Sequence, residues 1–144
     1  MFDSVNVIGS GRVGLAVAAR LEERGVAVRA DGELVLLCVP DGAIADAARS
    51  IELGPWVAHV SGATPLAALA PHARRFGMHP LQTFTLARSA EQLDGAWAAV
   101  VAESDDARAR GFWLAETLGL RPFHLQTKHV PPTTRARRSR RTTW

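Results

Sequence analysis

The 144-residue sequence has little of several features that would assign it to a class of protein. Its single cysteine, Cys38, excludes an internal disulfide and a metal site built from several cysteines. No apolar run approaches the roughly 20 residues that a helix needs to span a membrane. The first nine residues contain an acid at position 3 and no basic residue, so we expect no secretory signal peptide. These absences favour a cytoplasmic protein with no membrane partner and no metal site.

Acidic residues are missing from one end of the chain. Residues 121–144 hold 7 of the 17 basic residues and none of the 14 acids. Residues 1–120 therefore carry a net charge of −4, with ten basic residues against fourteen acids. A change of composition this sharp marks a boundary. We predict one folded domain over residues 1–125 and an unstructured basic tail over residues 126–144, because the tail has no apolar periodicity.

A glycine-rich turn follows the first apolar segment. Residues 5–14 read VNVIGSGRVG, and a helical pattern and a second β-branched run come next. This order of strand, G-x-G-x-x-G turn, helix and strand is the context of a dinucleotide-binding fingerprint. Gly9 would allow the tight turn, Gly11 the approach of a pyrophosphate, and Gly14 close packing of the helix. A turn without a ligand is the alternative. The predicted cofactor-binding residues here are Gly9, Ser10, Gly11, Arg12, Val13 and Gly14.

Strand and helix patterns alternate along the rest of residues 1–125. The unbroken apolar run at residues 34–39 predicts a strand buried on both faces of a parallel sheet. Asp41 is the predicted N-cap of the helix that follows. This alternation predicts an α/β fold with a mostly parallel sheet. The other predicted strands are residues 5–8, 26–30, 56–60, 75–78, 96–102 and 122–125, and the predicted helices are residues 12–24, 42–53, 65–70 and 105–118.

The connection between the second and third predicted strands is unusually short. Only residues 31–33 join them, whereas a parallel crossover usually needs a dozen residues or more. We therefore expect either a hairpin or a heavily abbreviated connection at this point.

Four segments together resemble a known family. GSGRVG, LVLLCVPDGAI, HVSGA and FGMHPLQTF occur in this order at residues 9–14, 34–44, 59–63 and 76–84. The combination resembles the Rossmann-like oxidoreductases that carry a C-terminal helical domain of unknown function. They are distant relatives of the pyrroline-carboxylate reductase, prephenate dehydrogenase and 6-phosphogluconate dehydrogenase group. The resemblance covers residues 5–125, the N-terminal domain only.

The resemblance implies a Rossmann-type, doubly wound sheet and a nicotinamide dinucleotide, NADP, with NAD as the alternative. It leaves the small-molecule substrate unidentified, and it implies homodimers for the full-length relatives. In open α/β sheets a ligand binds beyond the carboxyl ends of the strands. The further cofactor-binding residues predicted at these ends are Val39, Pro40, Asp41, Ser61 and Gly62. In the alternative interpretation, Asp41 is only a helix cap, and Ser61 and Gly62 form only a turn.

Two side chains are the candidate catalytic residues. The resemblance places the turn at Ser61 near the nicotinamide, and a His-Pro turn like that at His79 lines the active site in the prephenate dehydrogenase group. His79 would orient or protonate a substrate, because imidazole titrates near neutral pH. A structural histidine bonded to the backbone is the alternative.

Four further residues bear on the core and on the choice of cofactor. His59 lies inside a predicted strand and is interpreted as a satisfied core or edge residue. Cys38 is interpreted as a small apolar filler in a buried strand. Arg29 follows the second strand, where it would meet the 2′-phosphate of NADP. The usual ribose-binding acid is displaced, because Asp31 comes after the strand. This arrangement favours NADP.

The end of the sequence departs from the family pattern. Relatives continue into a helix that opens like YHAGAAIAANYLV, whereas this chain reads KHVPPTTRARRSRRTTW. GC-rich codons for that helix, read one base later, encode TTRARRSRRTTW followed by a stop codon. All twelve residues of this product match residues 133–144. We hypothesise a frameshift near residues 126–130 that replaces the helical domain.

Three functions follow from these interpretations. The first is an NAD(P)-dependent oxidoreductase whose catalysis is impaired by truncation. The second is a non-catalytic dinucleotide-binding or sensing module. The third is polyanion binding through the arginine-rich tail. The sequence contains no folded nucleic-acid-binding motif that could recognise a base sequence, so no specific nucleic acid partner is expected.

Overall fold

The structure is a computed structural model that describes residues 1–85 and 88–126. The predicted basic tail, apart from Gln126, lies outside these residues. The strands are β1 (Ser4–Ile8), β2 (Ala27–Val28), β3 (Leu34–Leu37), β4 (Trp56–His59), β5 (Arg75–Pro80), β6 (Trp97–Val101) and β7 (Arg121–His124). The α-helices are α1 (Arg12–Glu23), α2 (Ile44–Arg49) and α3 (Asp105–Thr117), and 3₁₀ turns occupy Asp41–Ala43, Leu66–Leu69 and Ala90–Leu93.

The strands form one sheet with the order β2-β1-β3-β4-β5-β6-β7. Every neighbouring pair is parallel except β5 and β6, which are antiparallel. Helices α1 and α3 pack on one face of the sheet. Helix α2 and the turn Leu66–Leu69 pack on the other face. The prediction of an α/β, doubly wound and mostly parallel fold is therefore confirmed.

Local signals explain where the helices begin and end. The hydroxyl of Ser104 caps α3 by accepting a hydrogen bond from Ala107 N at 3.1 Å. Gly119 follows this helix with a φ of +89°, which suits a residue without a side chain. The predicted cap of α2 is wrong. Asp41 makes no capping hydrogen bond, and it lies in a 3₁₀ turn before α2 begins at Ile44.

The chain passes from β2 to β3 by crossing the face of β1. Val28 and Leu34 both lie opposite Val5, on its two sides, and both strands run parallel to β1. The two strands are therefore not a hairpin, and the abbreviated connection is the one that the protein uses. A Cβ on Gly32 would lie 2.5 Å from the backbone N of Asn6. Only glycine lets the backbones approach this closely.

Hydrogen bonds fasten this crossing to β1. The side-chain amide of Asn6 donates to the carbonyl oxygen of Ala30 at 3.2 Å. The amide N of Glu33 lies 3.1 Å from both the carbonyl oxygen and the hydroxyl of Ser4. Within residues 1–85 and 88–126 no helix packs over the crossing on this face of β1, and a cavity of about 600 Å³ opens beside it.

A buried arginine joins α1 to the far side of the domain. Arg20 is only 4% exposed. Its guanidinium donates to the carbonyl oxygens of Leu118 at 2.8 Å and Ala90 at 3.1 Å, and it pairs with Asp94 at 2.7 Å. A buried charge needs partners of this kind, since an unpaired one is expensive to desolvate. Arg20 therefore fixes α1 against the end of α3 and the segment before β6.

No helix within residues 1–85 and 88–126 is long and apolar enough to cross a membrane.

The Gly32→Ala variant tests the crossing. Its new methyl group would overlap the backbone of β1, so we expect the free energy of unfolding to fall by about 1–3 kcal/mol. Urea denaturation measures the change. Gly42→Ala is the control, because a Cβ at Gly42 meets no atom within 4 Å. An equal effect of the two substitutions would contradict the crossing as described.

Candidate functional site

The three glycines of the turn after β1 have three different surroundings. A Cβ on Gly9, whose φ is +116°, would lie 2.1 Å from the carbonyl oxygen of Cys38 in the segment after β3. A Cβ on Gly14 would lie 2.2 Å from the carbonyl oxygen of Gly9. A Cβ on Gly11 would meet no protein atom within 4 Å. The first and third glycines therefore allow the chain to pack, and the second leaves open space in front of the turn.

This open space continues into a cavity of about 380 Å³ at the carboxyl ends of β1, β3 and β4. Its volume lies within the range of small-ligand sites. Seven of the predicted cofactor-binding residues line it, and the other two lining residues, Cys38 and Val60, were not predicted to do so. The lining residues are Gly11, Arg12, Val13, Cys38, Val39, Pro40, Asp41, Val60 and Ser61.

The amino end of α1 forms one wall of the cavity. The first backbone N–H groups of a helix have no partner within the helix. Leu15 N bonds back to Gly11 O at 3.0 Å, which leaves the N–H groups before it without an intrahelical acceptor. Their partial positive charge, together with the Arg12 guanidinium, suits a phosphate. Arg12 also donates to the carbonyl oxygen of Phe84 at 3.4 Å, which connects α1 to the segment after β5.

His79 lies beside the cavity, one strand further along the edge of the sheet. Strand β5 runs to Pro80, two residues beyond the predicted end of the strand at residue 78. The Nδ1 atom of His79 lies 3.0 Å from the carbonyl oxygen of Val60. Because a carbonyl only accepts, Nδ1 is the donor, and Nε2 of a neutral ring is then unprotonated. A Cβ on Gly62 would lie 2.7 Å from Nε2, so glycine there makes room for the ring.

The hydroxyl of Ser61 organises the turn after β4. It accepts hydrogen bonds from the amide N of Ala63 at 3.2 Å and of Thr64 at 3.1 Å. It also shares a hydrogen bond of 2.9 Å with the hydroxyl of Thr64. These are the hydrogen bonds of a simple turn, the alternative interpretation of Ser61 and Gly62. Ser61 nevertheless lines the cavity, and its catalytic role stays a prediction.

His59 is buried, but its hydrogen bonding is incomplete. The prediction was a core or edge histidine with all its hydrogen bonds made. It is 1% exposed, and its Nδ1 accepts a hydrogen bond from Ser61 N at 3.1 Å. Its Nε2 has no hydrogen-bond partner among the described residues. Burial lowers the pKa of His59, and this effect exceeds the opposing influence of the Thr64 backbone and of Asp41. No periodicity in the sequence distinguishes a satisfied buried imidazole from this one.

Cys38 lines the cavity as a neutral thiol. Burial raises its pKa to about 12, so the thiolate is absent at neutral pH. Its interpretation as a small filler therefore agrees with its surroundings. Its backbone is the more important part, because Gly9 packs against the Cys38 carbonyl oxygen.

Arg29 lies away from the 380 Å³ cavity, on the other side of β1. Its Nε is 2.9 Å from a carboxylate oxygen of Asp31, and both side chains are exposed. The neighbouring 600 Å³ cavity is lined by the carboxylates Asp31, Glu33 and Glu52 and by no basic residue. Phosphate groups therefore suit the cavity at the glycine turn and not this one.

Within residues 1–85 and 88–126, no three His, Cys, Asp or Glu side chains are grouped so that they could hold a metal ion. The arrangement at the strand ends is built instead from glycines, backbone N–H groups and one imidazole.

Solved structures share this fold. A candidate NADP oxidoreductase from Bacteroides fragilis matches with a TM-score of 0.74 and 18% identity, over 98% of this chain and 64% of its own. Prephenate dehydrogenase from Aquifex aeolicus matches with a TM-score of 0.70 and 13% identity, over 88% of this chain and 62% of its own. 1-Pyrroline-5-carboxylate reductase from Streptococcus pyogenes matches with a TM-score of 0.63 and 14% identity, over 85% of this chain and 57% of its own.

These matches show that the chain has the Rossmann-type fold of NAD(P)-dependent oxidoreductases. Two of the three groups to which the sequence resemblance pointed are represented among them. The chain spans less than two thirds of the length of each of these proteins. No family model and no curated protein matches the sequence.

The pKa of His59 predicts a pH dependence of stability. Below about pH 6.5 the unfolded chain protonates this histidine, while the folded protein resists protonation until a lower pH. The free energy of unfolding should therefore fall as the pH drops from 7.5 to 5.0, by about 1.4 kcal/mol for each pH unit between the two pKa values. Urea denaturation at several pH values measures this slope.

The His59→Gln variant should lose this part of the slope. His124→Gln, a substitution of a half-buried histidine on β7, is the matched control and should keep it. An unchanged slope in His59→Gln would refute the assignment.

Proposed function

We propose that residues 1–125 form the cofactor-binding domain of an NAD(P)-dependent oxidoreductase of the cytoplasm. The observation that carries this proposal is that the three glycines of the turn have different surroundings. Backbone atoms lie so close to Gly9 and Gly14 that neither position has room for a side chain, whereas Gly11 faces empty space at the start of a helix. A phosphate-binding turn needs this combination of rigid packing and an accessible backbone. The fold shared with known oxidoreductases supports the proposal.

Each part of the site would have a separate task. The turn and the amino end of α1 would hold the pyrophosphate, and the residues after β3 and β4 would line the remainder of the cofactor. Bound NADPH or NADH would supply a hydride to the substrate. His79 would hold or transfer a proton at Nε2, because the hydrogen bond to Val60 O fixes Nδ1 as the protonated nitrogen.

The Gly11→Val variant tests the cofactor site. A valine side chain would fill the open space that the pyrophosphate needs, so we expect binding at least ten-fold weaker, or about 1.4 kcal/mol. The measurement is titration with NADPH and NADH, followed by energy transfer from tryptophan to the reduced nicotinamide. Stability should change little, since no described atom lies within 4 Å of the new Cβ.

Glu22→Val is the control, because it places a valine at the other end of the same helix. The proposal is wrong if wild-type protein binds neither dinucleotide, or if folded Gly11→Val protein binds them as well as wild type.

The choice between NADP and NAD would depend on Arg29 and Asp31. We propose NADP, because the guanidinium of Arg29 keeps two nitrogens beyond the one that faces Asp31. Arg29→Gln should weaken NADPH binding about ten-fold and leave NADH binding nearly unchanged, since only NADPH has the 2′-phosphate. Arg49→Gln, which removes another exposed arginine paired with an aspartate, is the matched control. Equal losses for the two cofactors would indicate that Arg29 does not read the 2′-phosphate.

A non-catalytic dinucleotide-binding module is the second candidate function. The 144 residues cover 64% and 62% of the chains of two of these neighbours, and hydride transfer requires the substrate to be closed against the nicotinamide and shielded from water. We propose that these 144 residues by themselves bind cofactor with little or no turnover. Turnover assays with imines, keto acids and hydroxy acids distinguish the two functions, because substantial turnover by this chain would exclude the second.

A further inference from the structure

A row of exposed side chains extends the candidate site along the edge of the sheet. Strand β6 runs antiparallel to β5, so its first residue, Trp97, lies beyond Pro80 at the end where the cavity opens. The amide N of Leu81 donates to Trp97 O at 2.7 Å, which extends the pairing by one residue. Arg121 is the register partner of Trp97 on β7. Leu81, Trp97 and Arg121 thus lie side by side on three neighbouring segments.

The side chains of this row face the same side of the sheet as His79. Met78 and Ala98 point into the core beneath α3. Because successive side chains of a strand alternate, His79 and Trp97 point to the opposite face. His79 is the register partner of Ala99, and Trp97 is two residues from Ala99, about 7 Å along the strand. The row therefore begins next to the imidazole.

The chemistry of this row is an indole ring with a cation over one of its faces. Trp97 and Leu81 are each 51% exposed, which is unusual for such large apolar side chains. The Arg121 guanidinium carbon lies 5.5 Å from the centre of the Trp97 ring. The centres of the Trp97 and Phe123 rings are 6.1 Å apart. Within residues 1–85 and 88–126, no carboxylate pairs with Arg121.

We propose that Trp97 and Arg121 form the substrate-binding side of the site and select a planar, carboxylate-bearing compound. The face of the Trp97 ring that Arg121 leaves free would stack on the planar part of the compound, and the Arg121 guanidinium would bind its carboxylate. His79 would then face the reacting part of the same molecule, opposite the cofactor cavity. The assignment of this row to a substrate rests on the proposed function, since it is the cofactor that would make the adjoining edge an active site.

Two small probes test the proposal. Phenylacetate carries a carboxylate, and phenylacetamide is its neutral analogue of nearly the same shape. Their dissociation constants are measured by ligand-observed NMR on the full chain, with and without saturating NADP⁺. We expect phenylacetate to bind about ten-fold more tightly than phenylacetamide. Trp97→Leu should weaken both probes, because it removes the ring and keeps an apolar side chain.

Charge variants separate a binding site from a surface contact. Arg121→Gln should abolish the preference for phenylacetate, and Arg121→Lys should retain part of it. Arg108→Gln on α3, at an arginine that pairs with Asp105, is the matched control and should change nothing. Urea denaturation of the Arg121 variants verifies that they are folded, independently of any ligand.

The proposal is overturned if wild-type protein binds the two probes equally, or if the preference survives Arg121→Gln. Its failure is distinct from that of the proposed function. Normal NADPH binding without carboxylate preference refutes only the substrate side. A carboxylate preference without any dinucleotide binding supports the anion site and refutes the oxidoreductase.

Discussion

The contact between the turn after β1 and the end of β3 is the constraint on which the candidate site depends. The carbonyl oxygen of Cys38 occupies the place where a side chain at residue 9 would begin, and the carbonyl oxygen of Gly9 does the same for residue 14. These two close approaches fix the direction of α1 relative to the sheet. The amino end of the helix is therefore held at the wall of the 380 Å³ cavity, with Gly11 open to it. Packing and ligand access are provided by neighbouring residues of one turn.

The direct crossing of β1 gives the two sides of the sheet edge different character. A helix would normally cover β1 between parallel strands. Here the backbone at Gly32 passes over the strand instead, and an acidic cavity remains beside it. Arg29 and Asp31 lie at this crossing as an exposed pair. The part of the edge that carries Arg29 is thus built by a short connection, while the glycine turn has the full packing of α1.

Two histidines at neighbouring strand ends differ because their surroundings differ. His59 is enclosed, and burial favours its neutral form. His79 is half-buried, with one nitrogen held by Val60 O and the other beside Gly62. A buried imidazole without access contributes to the pH dependence of stability, whereas an accessible and oriented one can exchange a proton with a ligand. The exposed row of Leu81, Trp97 and Arg121 continues from His79, so the accessible histidine joins the two parts of the edge.

The sequence by itself determined the order of the strands and the glycine turn, because the apolar run of β3 and the spacing of Gly9, Gly11 and Gly14 are local patterns. The predicted helix at residues 65–70 is a 3₁₀ turn, Leu66–Leu69. Helix α3, predicted at residues 105–118, spans Asp105–Thr117, and Gly119 is the local signal that marks its end. Only the tertiary structure decided how distant segments meet: the path of Gly32 over β1, the enclosure of His59, and the alignment of Trp97 with Arg121 beside His79. These depend on strand register and on which backbones meet, and no local periodicity encodes either. The sequence therefore indicated where a ligand would bind, and the fold arranged the side chains that would recognise it.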